Sequence, residues 1–588
     1  MIDILLDIPE TDRPRAAYVL GLLMNILGLA HRFLDDADGG RSGGDDPRGD
    51  VLLYYGDLRE NGRQHEGRHC LGIQAVEGER SPSEVRFLHW SGGHLPVLFW
   101  EELALPGKPL IDYGPPAGPA AVWQEEGGPI LTGADLIRTC FDLLSRREEY
   151  RTDRLDAYGR FSSGDSLAHR QGFLRFPVVD GTAALLDDLL TRLFRAGRIP
   201  CLRTARWPGG RPWALCLTHD VDWVKKWTPG GMAGYLLGRA ASPGSAGRGW
   251  RQRLGAVLSD LRAGRDPYDN IGDILELESE HRVCSTFFFL PGVPNQRQGG
   301  RKILGGYPGR FDLGRQAARI RQAGGEVELH GSFDSYDDSL RLSRERDSLG
   351  RQAGSEPRGI RQHFLRYRFP DTARYHQEAG LDYDSTLGFG DRPGYRCGIS
   401  FPYRPWDPSA EAPLAVWEIP LVIMDGALEV VRGGTAEVSR ATLDELLDRT
   451  ERLGGVCTLL WHNTSFAEID DGGMLGDLYV RALRKARSSR AWPCSCGQLL
   501  EWWRWRSGVK LDDVTGRSRE DRRWSLRLPS PDRGSLVLEF LNTAERTPHI
   551  EGCRSRILSR DAGGKGGWMR VEVSDWDRQD LSVHLASD

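Results

Sequence analysis

The sequence predicts an α/β protein built on a sheet or barrel of strands that alternate with helices. Three observations predict it. Apolar strand-like runs recur at "ALCL" (214–217), "CSTFFFLP" (284–291), "EVEL" (326–329), "AVWEIPLVIM" (415–424) and "CTLLW" (457–461), with helix-patterned stretches between several of them. Several runs end on a histidine or an aspartate, at the strand end where α/β barrels carry their chemistry. The 588 residues are also too many for one hydrophobic core, so further domains flank the sheet.

Residues 1–205 read as an N-terminal α/β domain. "AYVLGLLMNILGLA" (17–30) is a buried helix, too short to span a bilayer, and "DVLLYYG" and "HLPVLFW" are strands. The stretch 36–49 is a polar, glycine-rich loop. "RQHEGRHC", with His65, His69 and Cys70, reads as solvated surface rather than a metal cluster. Residues 133–150 have helical apolar spacing, with Leu136, Ile137, Cys140, Phe141 and Leu144 on one face.

A second domain, residues 206–505, begins near Trp207. Its insertion at 229–267 is rich in glycine and arginine and reads as a solvated loop with a short helix. Residues 270–283 form a helix capped by Asp269 or Asn270, and residues 311–325 form one stopped by Gly324 and Gly325. Residues 506–588 alternate short strands with polar turns and read as a small all-β module.

The composition is ordinary for a soluble chain, with 39% hydrophobic and 27% charged residues. A formal net charge of −5 gives no reason to expect nucleic acid. The opening "MIDILLDIPE" has no basic stretch before its apolar residues, and the ten cysteines are scattered. A cytoplasmic chain with reduced thiols is expected. Cys494 and Cys496 read as packing, and "WWRWRSG" (502–508) as a helix end. Oligomeric state is not visible in the sequence.

The chemistry gathers at strand ends. Asp220 and Asp222 close "ALCLTHDVD", His330 follows "EVEL", His363 lies in "RQHFLRYRFP", and His462 follows "CTLLW". Two histidines and a carboxylate form a hydrolytic metal set. A second carboxylate serves as general base and another histidine as general acid. Taken singly, each has a plainer reading: a turn or cap for the aspartates, a bonded loop histidine for His330 and His363, a turn cap for His462. His219 reads as structural.

The ordered set "LTHDVD", "EVELHGSFDS", "RQHFLRYRFP", "LDYDSTLGFGDRPGYRCG" and "LLWHN" resembles the motifs of the polysaccharide deacetylases with a NodB-homology domain. More specifically, it resembles a bacterial subgroup with a "THDVD" first motif and an extra N-terminal domain. "LLSRREEY…DAYGRF…SLAHRQGFLRFPVVD" resembles the end of that extra domain. The likeness covers about residues 130–505. It implies an incomplete (β/α) barrel and a divalent-metal enzyme that removes acetyl groups from sugars. Zn is the default ion, with Co, Ni or Fe also compatible. It implies Asp220 as base and Asp222 as ligand, although Val221 separates them where alternate residues of a strand face opposite ways.

The family's second motif has a second histidine where this chain has Asp334, so the third ligand is Asp334 or His363, with His363 favoured. Arg366 and Arg368 resemble the basic residue that holds the base. His462 resembles the general acid, with Glu418 or Asp384 to orient it. The expected partner is a carbohydrate, such as a nucleotide- or lipid-linked precursor in cell-envelope or exopolysaccharide metabolism, and no integral membrane segment is expected. The HGSFD departure leaves two alternatives: a catalytically silent carbohydrate-binding or assembly protein on the same fold, or another C–N amide hydrolase.

Overall fold

The computed structural model describes the chain except residues 35–49, 62–68, 77, 79–81, 83, 101–102, 104, 106–107, 114–119, 125–127, 238–248, 292–295, 299–300, 304–306, 308–310, 468–472, 515–521, 531–533, 544–546, 561–567, 577–578 and 586–588. The glycine-rich stretch 36–49, save its neighbour Asp50, and His65 thus lie outside the described residues. Two compact units emerge, one of residues 1–144, 178–211 and 502–588, the other of 145–177 and 212–501.

These borders differ from those expected at 205 and 505, for two physical reasons. Within the first unit, Cys201–Thr204 pairs antiparallel with Ser535–Leu541, so the C-terminal strands are not a self-contained module. Within the second, residues 145–177 are fastened by a buried ion cluster. Glu149 accepts from Arg396 Nε at 2.8 Å and Nη2 at 2.7 Å, and from Arg146 Nε at 2.8 Å.

The first unit holds a mixed sheet of nine strands. Its parallel half runs His31–Phe33, Ile2–Asp7, Val51–Gly56, Cys70–Gln74, Ile130–Thr132, and its other half is antiparallel. The helix Arg13–Leu27 buries Val19, Leu20, Leu23 and Met24, and Gly28 closes it at φ 70°. A side chain at Gly28 would sit 2.1 Å from the Thr204 carbonyl, so glycine is required there. Two antiparallel four-stranded sheets complete this unit.

Labels are given to the second unit alone. The strands of its large sheet are β1 (Ala214–Val221), β2 (Thr286–Phe289), β3 (Glu326–Gly331), β4 (Gly359–Gln362), β5 (Tyr383–Asp384), β6 (Trp417–Glu418), β7 (Ile423–Met424), β8 (Val456–Leu460) and β9 (Trp492–Cys494). The helices that follow or connect them include α1 (Pro229–Leu236), α2 (Trp250–Ala263), α3 (Ile271–His281), α4 (Leu313–Gln322), α5 (Ser339–Ala353), α6 (Asp371–Glu378), α7 (Ala436–Leu453) and α8 (Met474–Ser488). The parallel strands lie in the order β6-β5-β4-β3-β2-β1-β8-β7, with β9 also on β1.

The connectivity forces this sheet to curl. Its edge strands β6 and β7 are joined by residues 419–422 alone. That link reaches at most about 18 Å. Eight strands laid flat would hold the edges about 34 Å apart. The result is an α/β half-barrel with an open seam between β6 and β7.

Alternation along each strand then sorts side chains into an outer apolar layer and an inner polar one. Leu215, Leu217, Phe287, Phe289, Val327, Leu329 and Ile360 face the helices and join them in the core. Thr218, Asp220, His330 and Arg361 have the opposite parity and face one another inside. The insertion after β1 is not a loop with one short helix. It carries both α1 and α2, with Val257 of α2 buried against Trp227 and Tyr235. Among the described residues no helix is long and apolar enough to cross a membrane.

Candidate metal centre

Asp222, His330 and His363 offer ligand atoms that all lie within 4.8 Å of one another. Each stands just beyond or at the C-terminal end of a strand: Asp222 after β1, His330 near the end of β3, His363 directly after β4. Val221, the residue inserted between the two aspartates, puts them on the same face. Asp220 and Asp222 share parity, and Val221 turns outward into the apolar core. His330 Nε2 accordingly lies 3.7 Å from Asp220 Oδ2 and 3.2 Å from Asp222 Oδ1.

The set fits a cation on its own chemistry. His330 Nδ1 lies 2.8 Å from the Arg361 carbonyl and donates to it, which leaves the Nε2 lone pair free toward the aspartates. His363 Nε2 lies 3.7 Å from Asp222 Oδ2. Asp222 Oδ1 and His330 Nε2 are buried and make no hydrogen bond of good geometry. Orphaned buried polar atoms are costly, and these point at one another. Burial opposes charge on Asp222, yet His363 and His330 hold its carboxyl well below the usual range. His330 is moved the other way: burial opposes its charge, and Asp220 and Asp222 raise its pKa. Neutral imidazoles and a carboxylate suit Zn and its neighbours in the first transition row.

Asp334, the other candidate ligand, is not in the set. Its side chain is 41% exposed and lies 3.5 Å from Arg341 and 3.7 Å from Arg366. His363 stands in its place.

Arg361, rather than Arg366, holds Asp220. Its Nη1 donates to Asp220 Oδ1 at 3.0 Å and to Thr218 Oγ1 at 2.7 Å. Its Nε and Nη2 donate to Ser385 O at 2.8 Å and Ser385 Oγ at 2.9 Å. Arg366 instead donates to the Phe333 carbonyl at 2.6 Å and stacks on Phe333 and Tyr336, each at 3.9 Å. The physical reason is parity: Arg361 lies on β4 and points inside, whereas the turn after His363 carries Arg366 away. Phe364 and Leu365 adopt φ 61° and 55° in that turn.

Asp425, rather than Glu418 or Asp384, orients His462. Asp425 Oδ1 lies 2.8 Å from His462 Nδ1, and Oδ2 accepts from His462 N at 2.7 Å. Ser465 Oγ completes the carboxylate's shell at 2.5 Å. Burial works against charge on His462; Asp425 overrides it, with Asp222 and Asp220 behind, and raises the pKa to about 10. Nε2 of His462 faces Asp222 Oδ2 at 3.8 Å. Glu418 sits on β6 and accepts from Leu387 N at 3.0 Å. Burial and the neighbouring Asp384 push its carboxyl well above the usual range. Asp384 in turn lies 3.4 Å from His376 on α6.

His219 has outward parity and is structural. It contacts the Trp461 carbonyl at 2.8 Å and Glu278 of α3 at 3.1 Å. Cys494 and Cys496 are buried beside Cys216, whose Sγ is 3.6 Å from that of Cys496.

A family model described as a family of unknown function, DUF7033, matches residues 4–195. No curated protein matches the chain. Among solved structures the chain is similar to a Mycobacterium smegmatis protein assigned as a polysaccharide deacetylase, with 19% identity and TM-score 0.34 over 54% of this chain and 98% of that one. It is similar to Puue allantoinase, with 15% identity and TM-score 0.33 over 51% and 93%. It is also similar to BA3943 of Bacillus anthracis, a CE4 family pseudoenzyme, with 15% identity and TM-score 0.23 over 49% and 65%. Likenesses at these scores carry no weight beside the geometry of the site itself.

Proposed function

We propose that the chain is a metal-dependent hydrolase that removes an acetyl group from an amino sugar or a polysaccharide precursor. One observation carries this reading. The three-residue ligand cluster is flanked on one side by an arginine-held carboxylate, Asp220, and on the other by an aspartate-held imidazole, His462. Acyl transfer to water needs a base and an acid on either side of one electrophilic centre, and a carboxylate and an imidazole so placed can supply them.

Asp222, His330 and His363 would hold the ion. A divalent cation there supplies a Lewis acid and brings the pKa of water toward neutrality. Asp220 takes the proton of the attacking water, and Arg361 holds its carboxylate aimed inward. His462 is protonated at neutral pH because Asp425 stabilises the imidazolium. It donates from Nε2 to the departing nitrogen, which leaves poorly as an anion. Asp425 holds the ring by Nδ1 so that Nε2 faces the ligands. These roles balance: one proton leaves water at Asp220, and one arrives at nitrogen from His462.

The test is elemental analysis of the purified chain beside His330→Ala, His363→Ala and Asp334→Ala, followed by assay of acetate release from N-acetylated sugars. One divalent ion per chain, lost in the two histidine variants and kept in Asp334→Ala, supports the centre. Acetate release that depends on the ion supports the reaction. A wild type that takes up no ion when Zn or Co is supplied overturns both. Uptake without release from any N-acyl sugar leaves a silent binding protein.

A further inference from the structure

The insertion between β1 and α3 differs in charge and surface from the rest of the chain. Its described part, residues 223–237 and 249–268, carries Lys225, Lys226, Arg251, Arg253, Arg262 and Arg265 against two carboxylates, Asp260 and Asp266. The whole chain has a formal charge of −5, so this surface runs against the overall balance. Asp260 is already engaged by Trp227 Nε1 at 3.0 Å. Lys226 is buried, while Lys225, Arg251, Arg262 and Arg265 are exposed.

The same element leaves large apolar groups in water. Trp250 is 63% exposed, Leu261 50% and Leu258 40% on α2, and Leu237, just beyond α1, is 65% exposed. On a helix of about 100° per residue, Trp250, Leu254, Leu258 and Leu261 fall within about 80° of arc. Arg251 and Arg262 border that arc on one side and Arg253 on the other. Val257 is the one residue of α2 that is fully buried. On the same projection Val257 falls about 20° before Trp250, so the exposed arc adjoins the helix's packing face and runs away from it through Leu254 to Leu258.

We infer that the α1–α2 insertion seats the protein on an anionic lipid surface. A helix with tryptophan and leucine on one arc and arginines at its borders lies in the plane of a bilayer, its apolar arc among the acyl chains and its cations at the head groups. Arginine stems reach from the border of the arc to the head groups without leaving apolar surface bare. A second copy of this chain is a poor occupant, because two such faces bring like charges together. Nucleic acid would meet the arginines but gain nothing from the exposed leucines.

The insertion is also tied to the candidate site. Asn463, next to His462, donates through Nδ2 to the carbonyl of Trp223 at 2.7 Å and to that of Tyr268 at 3.0 Å. These two residues are the roots of the insertion. Asp266 accepts from the backbone of Lys226 at 2.8 Å and of Trp227 at 2.9 Å, which fixes the first root against the second. A surface docked on α2 is thus docked on an element that leaves β1 directly after Asp222 and is anchored beside His462.

The inference stands independently of the hydrolase reading, and its test uses no activity. The full chain is sedimented with vesicles of phosphatidylcholine alone and of phosphatidylcholine with phosphatidylglycerol. Partition is expected to be at least about tenfold stronger with the anionic lipid and to weaken as salt is raised. Leu258→Asp with Leu261→Asp, and separately Arg251→Glu with Arg262→Glu, each abolish it. These side chains are exposed, so the thermal transition stays where it is in the wild type. Trp250→Ser, at the helix start, gives a third and milder loss if either double variant melts early. No partition by the wild type overturns the inference, as does equal partition by all variants. A dimer that Leu258→Asp dissociates, with no vesicle binding, assigns the face to self-association instead. Binding to heparin with no dependence on the leucines assigns it to a soluble polyanion.

Discussion

Two buried charge clusters in the second unit look alike by composition and differ in how fully they are satisfied. The Arg146–Glu149–Arg396 cluster fastens residues 145–177 to the half-barrel, and both oxygens of its carboxylate meet donors. The Asp222–His330–His363 cluster also sets a carboxylate against two basic side chains, with its two histidines buried and Asp222 18% exposed. Yet Asp222 Oδ1 and His330 Nε2 find no hydrogen bond. A buried ion cluster that closes on itself is structure. One whose buried ligand atoms lack hydrogen bonds of good geometry is the candidate ion site. Predictions follow from treating the two as opposites.

The largest effect is expected beside the open cluster. Asp220→Asn keeps the shape of the side chain and its contact with Arg361 and removes the proposed base. Steady-state acetate release should fall by about 10²–10⁴-fold, with metal content and the thermal transition unchanged. Loss of the metal in this variant would show that Asp220 is a ligand and that the division between base and ligand is wrong.

The closed cluster should respond in the opposite currency. Glu149→Ala leaves Arg146 and Arg396 buried without a counter-charge, and a loss of about 3–5 kcal/mol in unfolding free energy is expected. Metal content per folded chain should not change. The pH dependence has a definite sign. Burial opposes the Glu149 charge, but Arg396 and Arg146 lower its pKa from 4.5 to about 2. A depressed carboxyl pKa stabilises the fold above the unfolded value and ceases to do so as pH falls through the folded one. Wild-type stability should therefore decline between about pH 4.5 and 2, and Glu149→Gln should flatten that decline.

A smaller effect is expected at the acid. Asp425→Asn removes the charge that chiefly offsets the burial of His462, so the basic limb of kcat/KM should move to lower pH. In the wild type that limb should lie between about 6.5 and 10, because His462 must carry its proton and loses it as pH rises. A limb that stays in place in Asp425→Asn would assign it to another group.

The difference between these clusters was only partly legible in the sequence. Strand ends announced Asp220, Asp222, His330 and His462, because a charged residue closing a buried β-branched or aromatic run has few structural uses. Parity, the same rule, would have found more. Arg361 lies two residues before His363 and shares its facing, whereas Arg366 lies beyond a turn with two left-handed residues that no sequence pattern announces. Asp425 directly follows the strand ending at Met424, the same kind of position as the other site residues, whereas Glu418 lies on the strand before it. The insertion was harder. Its arginines were plain, but whether Leu258 and Leu261 are core or surface depends on where α2 packs, and that is a tertiary fact. The association of Cys201–Thr204 with Ser535–Leu541 spans more than three hundred residues, and a strand as short as the four residues Cys201–Thr204 carries no record of its partner.

The smallest effect is expected at the residue that the family resemblance made most ambiguous. Asp334 stands four residues after His330, where a ligand was one expectation, but its carboxylate is turned to Arg341 at 3.5 Å and Arg366 at 3.7 Å. Both contacts are long, and the side chain is 41% exposed, so solvent screens them. Asp334→Ala should change unfolding free energy by no more than about 0.5 kcal/mol and leave the ion in place. Asp334→His sharpens the comparison further. If the backbone there already points toward the cluster, a histidine would compete with His363, and His363→Ala would regain its metal in that background. If the carboxylate's turn toward Arg341 and Arg366 is set by the backbone, the double variant should remain empty. Titration with Co and its visible absorption distinguishes the two outcomes without reference to turnover.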